Sequence, residues 1–94
     1  MMNPVVHFEM PYHDRDRAAR FYSEAFGWKL EKLGAEMGNY VTGITAETDA
    51  RPGEPAGAIT VGMYEYRKDR PAQFPSAVIA VEDMAAAMAR VTKS

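Results

Sequence analysis

The sequence contains no cysteine, which excludes disulfide bonds, thiolate metal sites and cysteine nucleophiles. Uncharged stretches such as Gln73–Val81 are far shorter than the ~20 apolar residues that a membrane-spanning helix needs. Neither sign of charge dominates, because 11 Lys and Arg oppose 13 Asp and Glu. With a net charge of −2, we expect no nucleic-acid partner. No basic N-terminal region leads into an apolar run, so we expect no secretory signal and a cytoplasmic protein.

What is present is typical of one small globular domain. The chain has 94 residues, of which 47% are hydrophobic and 26% are charged. Gly-rich phosphate loops and a Ser-His-Asp arrangement are not found in it. Function must therefore be sought in the strand-forming and helix-forming patterns.

The N-terminal residues Asn3–Met10 predict a strand with two different faces. His7 and Glu9 share one face, and Phe8 and Met10 share the other, which we expect a helix to cover. A turn is predicted at Pro11–His13.

A helix is predicted over Asp14–Phe26. Asp14 or Asp16 can accept a hydrogen bond from a free backbone N–H at its start. Gly27 follows, as is common where a helix ends in a left-handed residue. The apolar stripe of this helix consists of Ala18, Phe21, Tyr22, Ala25 and Phe26.

The rest of the chain predicts four more strands and a second helix. The strands are Trp28–Leu33, Tyr40–Thr45, Gly57–Tyr66 and Ser76–Val81, separated by a turn at Gly34–Asn39, a loop at Ala46–Ala56 and a polar linker at Arg67–Pro75. The last of these strands is almost wholly apolar, which predicts burial on both faces. Asp83 caps the second helix, whose stripe is Met84, Ala87, Met88 and Val91.

The final strand and helix repeat the first pair at an offset of 69 residues, which places Asp14 on Asp83 and His7 on Ser76. We therefore predict a β-α-β-β-β module at residues 1–66, a linker at 67–75 and the strand and helix of a second module at 76–94. The three strands that should follow the second helix would come from a longer chain or from a partner, so we expect a homodimer.

Two stretches resemble the vicinal oxygen chelate superfamily, which includes glyoxalase I, bleomycin-resistance proteins and extradiol dioxygenases. One is HFEMP at His7–Pro11, followed by Asp14 and by RAARFYSEAFGW up to Trp28; the other is AVIAVEDM at 77–84. The resemblance implies an α+β fold in which paired β-α-β-β-β modules form a cupped mixed sheet around a cavity, with the second module incomplete in this chain.

Metal-dependent members of that superfamily bind a divalent ion such as Ni, Zn, Fe or Mn through four cavity-facing strand positions. His7 matches the first position, Thr60 lies near the second with Glu65 as the nearest carboxylate, and Ser76 matches the third. The fourth position would lie in an eighth strand, beyond the five strands that this sequence predicts. Hydroxyl groups are poor ligands for such ions beside imidazole and carboxylate. We therefore expect no complete metal site and regard a metal at His7 as the less favoured alternative.

Other side chains on the cavity face are candidates for ligand binding. His7 and Glu9 can form a hydrogen-bonded acid/base pair, although a satisfied cavity histidine is the more common case. Gly62 either leaves room for a ligand or marks a bulge or a close approach of another backbone segment. Thr60, Tyr64 and Ser76 offer hydroxyl groups, and Trp28 and Tyr40 are either cavity walls or ordinary core.

Arg67, Lys68 and Arg70 lie close together in the linker. A solvated loop is the default interpretation, and contact with an anion or with another subunit is the alternative.

Three functions remain open from sequence. The favoured one is binding of a small molecule in the cupped sheet without a complete metal site, as in bleomycin-resistance proteins. The second is a divalent-metal-dependent lyase, isomerase or dioxygenase that resembles other members of the superfamily. The third is an interaction module whose cavity has no function.

Overall fold

A computed structural model describes residues 2–47, 52 and 58–94. The predicted α+β class is confirmed. The elements are β1 (Val5–Tyr12), α1 (Arg15–Phe26), β2 (Lys29–Lys32), a 3-10 helix (Ala35–Met37), β3 (Val41–Ile44), β4 (Thr60–Glu65), β5 (Ser76–Ile79) and α2 (Met84–Lys93). Most of the predicted Ala46–Ala56 loop, together with Gly57, lies outside the described residues.

The five strands form one open mixed sheet in the order β2-β3-β4-β1-β5. Strand β1 pairs in parallel with β4, and the other three pairings are antiparallel. The register aligns His7 with Thr60 and Glu9 with Gly62. The two central strands therefore bring the predicted cavity residues side by side.

Strand β1 is longer than the sequence predicts, and the predicted turn at Pro11–His13 is wrong for its first two residues. Pro11 and Tyr12 continue the pairing with β4. The pairing with β5 ends at Glu9, so Pro11, which lacks an N–H donor, has no partner strand on that side. The extension places Tyr12 in the core.

Helix α1 begins and ends as the sequence predicts. The Asp14 side chain accepts a hydrogen bond from the Arg17 N–H at 3.1 Å. Gly27 ends the helix with φ at 74°, a left-handed conformation that favours glycine.

The core lies between α1 and one face of the sheet. Its buried hydrophobic residues, among those described, are Tyr12, Val41, Val61 and Met63. Partly buried side chains from β1, from α1 and from the start of β2 with the residue before it pack around them: Phe8, Met10, Ala18, Tyr22, Trp28 and Leu30. The prediction that a helix covers the Phe8 and Met10 face is thus confirmed.

The predicted burial of β5 on both faces is wrong. All four of its residues are exposed, and Ile79 retains 54% of its accessible surface. Strand β5 is an edge strand, and its apolar side chains have too few neighbours to cover them. Helix α2 is capped by Asp83 as predicted, but none of its residues is buried.

The β5–α2 portion therefore presents an uncovered apolar surface. Ile79 and the α2 stripe form a shallow groove of about 230 Å³. The radius of gyration is 15.6 Å, whereas a compact chain of this length has about 12 Å.

Candidate functional site

The sheet face opposite α1 carries the polar side chains that the sequence singles out. Pairing places His7 beside Thr60, and Glu9 between Gly62 and Ser76. Paired residues in neighbouring strands point to the same face, so these five positions form one surface. Their predicted common orientation agrees with the strand register.

Tyr40, which immediately precedes β3, joins these residues into a hydrogen-bond network. Its hydroxyl oxygen lies 2.6 Å from Glu9 Oε2 and 3.1 Å from His7 Nε2. His7 Nδ1 lies 2.7 Å from Thr60 Oγ1. We call this set Thr60–His7–Tyr40–Glu9 the Tyr40 network.

The direction of each hydrogen bond follows from the donors available. The Tyr40 hydroxyl has one proton, which it donates to the Glu9 carboxylate, so its oxygen accepts from His7 Nε2–H. In neutral His7, Nδ1 then accepts the proton of Thr60. If His7 is doubly protonated, Nδ1–H donates instead, and the Thr60 hydroxyl can turn to the Val6 carbonyl 3.2 Å away.

Tyr40 is held in its protonated form. Burial raises the pKa of its phenol, and the hydrogen bond to the Glu9 carboxylate and the negative charge of that group raise the pKa further. A phenolate beside Glu9 would place two negative charges in contact. Tyr40 can therefore donate a hydrogen bond throughout the neutral pH range.

Gly62 makes the position of Tyr40 possible. A Cβ at residue 62 would overlap the Tyr40 hydroxyl and lie 2.7 Å from His7 Nε2. The bulge or close backbone approach that is one interpretation of this glycine is not observed, because the register of β4 is regular through Gly62 and the nearest atoms belong to the side chains of Tyr40 and His7. The space is filled by the Tyr40 ring.

The predicted direct pairing of His7 with Glu9 is not observed. Both side chains instead contact the Tyr40 hydroxyl, which separates them. From the sequence, Tyr40 is expected to be a cavity wall or ordinary core and not a partner of His7 and Glu9. The signal that could have identified it is a glycine in β4 within reach of an aromatic ring at the start of β3, since aromatic rings can cover strand glycines.

Trp28 does not join the other candidate ligand-binding residues. Its indole stacks on Tyr22 at a centroid distance of 4.9 Å and meets Phe8 edge-on at 6.0 Å. It therefore lies on the helix-covered face, as ordinary core packing predicts. Tyr64 lies on the network's face, and its hydroxyl is 3.4 Å from the Phe74 carbonyl.

The residues at the predicted metal positions do not fit a divalent ion. His7 uses both ring nitrogens in hydrogen bonds, and Glu9 accepts from Tyr40. The other positions supply the hydroxyls of Thr60 and Ser76. Within residues 2–47, 52 and 58–94, no three His, Asp or Glu side chains are grouped closely enough to bind a metal.

A cleft of about 300 Å³ opens beside the network. Glu9, Tyr40 and Tyr64 line it together with Arg67 and Arg70, and Met37, Gly38 and Glu65 complete it. A volume of this size suits a small molecule.

A second groove, of about 340 Å³, lies between the start of α1 and the sheet. Met10, Phe21 and Tyr22 are among its lining residues. It is the main rival location for an apolar ligand, but it contains no counterpart of the Tyr40 network.

Comparison with known proteins agrees with this architecture. Residues 5–43, from β1 into β3, match the family model described as bleomycin resistance protein-like N-terminal. The resemblance to the vicinal oxygen chelate superfamily is confirmed. A search of curated protein sequences finds no match.

Two solved structures of that superfamily share the fold. One is methylmalonyl-CoA epimerase from Streptomyces coelicolor in complex with 2-nitronate-propionyl-CoA, with 19% identity, a TM-score of 0.59 and coverage of 99% of this chain and 72% of that chain. The other is a methylmalonyl-CoA epimerase in complex with methylmalonyl-CoA and NH4+, with 18% identity and a TM-score of 0.61. The match covers 99% of this chain and 70% of that chain. At these identities, the likeness concerns the fold alone.

No helix in the described part of the chain is long and apolar enough to cross a membrane.

Proposed function

We propose that the protein binds a small molecule on the sheet face opposite α1, in the cleft beside the Tyr40 network, without a resident metal. The supporting observation is the network itself: four polar side chains converge on one uncovered face, and Gly62 makes room for them. A ligand carbonyl or hydroxyl oxygen could replace Glu9 as the acceptor of the Tyr40 hydrogen bond.

The test is a fluorescence titration with an environment-sensitive naphthalene dye after treatment of the protein with a chelator. We expect saturable one-to-one binding that Tyr40→Ala weakens about tenfold. Phe21→Ala, in the rival groove, is the matched control and should leave the affinity within about twofold. Binding that requires added metal, or that Phe21→Ala removes while Tyr40→Ala does not, overturns the proposal.

A second candidate function is proton transfer at a carbon next to a carbonyl group. The contact between Glu9 and Tyr40 favours it, because a carboxylate base beside a hydroxyl donor is the pair that such a reaction uses. The structural neighbours are epimerases crystallised with acyl-CoA ligands. In this function Glu9 would remove the proton and Tyr40 would donate a hydrogen bond to the developing enolate oxygen.

Deuterium exchange tests this second candidate. Methylmalonyl-CoA is incubated with protein in D2O, and the exchange of its α-hydrogen is followed by NMR. The candidate predicts exchange above the buffer rate that Glu9→Gln reduces at least a hundredfold. Exchange at the buffer rate, with dye binding intact, leaves ligand binding as the function.

We also propose that the exposed β5–α2 groove is covered by a second copy of this chain in a homodimer. Large apolar side chains there retain more than half of their accessible surface: Ile79 (54%), Met84 (66%), Met88 (63%) and Val91 (76%). A contiguous apolar patch of this kind is typical of an interface. A cytoplasmic location stays a prediction from sequence.

A further inference from the structure

The segment that follows β4 brings two arginines to the cleft beside the Tyr40 network. Arg67 and Arg70 line this cleft together with Glu9 and Tyr40. In the sequence these arginines stand in a polar linker whose default interpretation is a solvated loop. Their position at the cleft favours the alternative of contact with an anion.

The loop that carries these arginines is held in a fixed shape by Gln73. The Gln73 side-chain carbonyl accepts from the Arg67 N–H at 2.8 Å. Its amide nitrogen donates to the backbone carbonyls of Arg67 and Arg70 at 2.6 and 2.7 Å. One side chain thus closes a turn around both arginines.

Ala72 gives a second indication that this loop is constrained. Its φ is 55°, in the left-handed region that a non-glycine residue adopts only at an energetic cost. Backbone strain of this kind persists where surrounding contacts hold it. Here the neighbouring Gln73 supplies those contacts.

The charges around the cleft leave one cation uncompensated. Glu9 is engaged by Tyr40, and Glu65 lies 3.8 Å from the Arg67 guanidinium. That pair is exposed and too long for a hydrogen bond, so it holds Arg67 only weakly. In the part of the chain that the structure describes, Arg70 makes no ion pair.

We propose that Arg67 and Arg70 bind the carboxylate or phosphate group of a small-molecule ligand whose carbonyl or hydroxyl group meets the Tyr40 network. The inference rests on the proposed function, and it adds the chemical class of the ligand. A planar guanidinium recognises either anion through paired hydrogen bonds. The cleft is too small for a macromolecule and suits a compact anion of this kind.

The test measures the affinities of three probes of matched shape by isothermal titration calorimetry. The probes are 4-oxopentanoate, 3-oxobutyl phosphate and the neutral 4-oxopentanamide. We expect one or both anions to bind at least fivefold more tightly than the amide. The stronger of the two anions identifies the preferred group. Equal affinity of the amide and both anions overturns the inference and leaves the proposed function standing.

Substitutions in the loop show whether Arg70 causes the preference for anions. Arg70→Gln should weaken the anions about five- to tenfold and leave the amide unchanged, and Arg70→Lys should restore part of the loss. Lys68→Gln removes the same charge from the same loop outside the cleft lining, so it is the matched control and should change affinity by less than twofold. Equal losses in Arg70→Gln and Lys68→Gln overturn the inference, because they indicate a general effect of net charge.

Gln73→Ala tests the positioning role of the loop. It should weaken the anions without removing a charge and leave the amide unchanged. If none of the three probes binds while the dye still binds in a Tyr40-dependent way, the inference is overturned and the proposed function stands. If the dye does not bind either, both are contradicted.

Discussion

The hydroxyl of Tyr40 lies between two titratable side chains, 2.6 Å from Glu9 Oε2 and 3.1 Å from His7 Nε2. This hydroxyl group links side chains of neighbouring strands into one hydrogen-bonded site. Because the phenol donates to Glu9 and accepts from His7, a change at any one of these three side chains alters the hydrogen bonding of the other two.

The raised pKa of Tyr40 predicts a late alkaline titration. Burial, followed by the hydrogen bond to Glu9, holds the pKa above the ordinary value of 10.0. The contribution of protonated Tyr40 to the free energy of unfolding is therefore fully present below about pH 10, where the unfolded chain also keeps this phenol protonated. It is lost as the pH rises towards the folded-state value.

Ultraviolet absorbance of the phenolate and unfolding curves measure this effect. Tyr40→Phe should remove one of the late-ionising phenols and flatten the fall in the free energy of unfolding above pH 10, while Tyr12, whose pKa burial also raises, remains. Tyr66→Phe, at an exposed ring, controls for the loss of one phenol from the absorbance. If the Tyr40→Phe protein shows as many late-ionising phenols as the wild type, the assignment is contradicted.

Gly62→Ala should disrupt the Tyr40 network by displacing the Tyr40 ring. The added Cβ overlaps the Tyr40 hydroxyl, so we expect a loss of about 1–3 kcal/mol in the free energy of unfolding, together with loss of dye binding. In a Tyr40→Ala background the same substitution should cost much less, because the overlapping ring is gone. Additive costs in this double-mutant cycle would show that Gly62 and Tyr40 do not interact.

Metal content should be below one ion per chain. After dialysis in turn against nickel, zinc, manganese and iron salts, elemental analysis should find no tightly held stoichiometric ion, because both His7 nitrogens are engaged. His7→Ala should leave the result unchanged. One retained ion per chain that disappears in His7→Ala would restore the metal-dependent alternative.

The homodimer proposal predicts that charge on the α2 stripe produces monomers. Met88→Lys and Val91→Lys place an ammonium group in the exposed apolar groove, and sedimentation equilibrium should show dissociation. Ala89→Lys, on the opposite side of the same helix, is the control and should remain dimeric. A wild-type protein that is monomeric at all concentrations tested, or a dimer that both stripe variants leave intact, would contradict the proposal.

The ends of the helices and the two faces of β1 could be predicted from the sequence, because nearby residues determine them. Asp14 and Asp83 cap their helices as predicted, and Gly27 ends α1 in a left-handed conformation. Alternation also predicted correctly that His7 and Glu9 share a face away from the core. These features depend on neighbours a few residues away, so the pattern contains the information.

Features that depend on strand pairing were not predictable in the same way. Tyr12 enters the core because β1 continues along β4 past Pro11, and β5 is exposed because it pairs on one side only. The Tyr40 network depends on the register that brings residue 40 over Gly62, across 22 positions of sequence. Strand propensity does not determine that register; the assembled sheet does.

Both proposals for the Tyr40 network require that a small molecule binds on the sheet face opposite α1, beside that network. Backbone amide NMR of the isotopically labelled protein, titrated with the naphthalene dye, tests it most directly. Binding in this cleft predicts that the largest shifts occur at Glu9, Tyr40 and Tyr64, which line it, with the same dissociation constant at each. Shifts confined to Ala18, Phe21 and Tyr22, in the groove under α1, would contradict it.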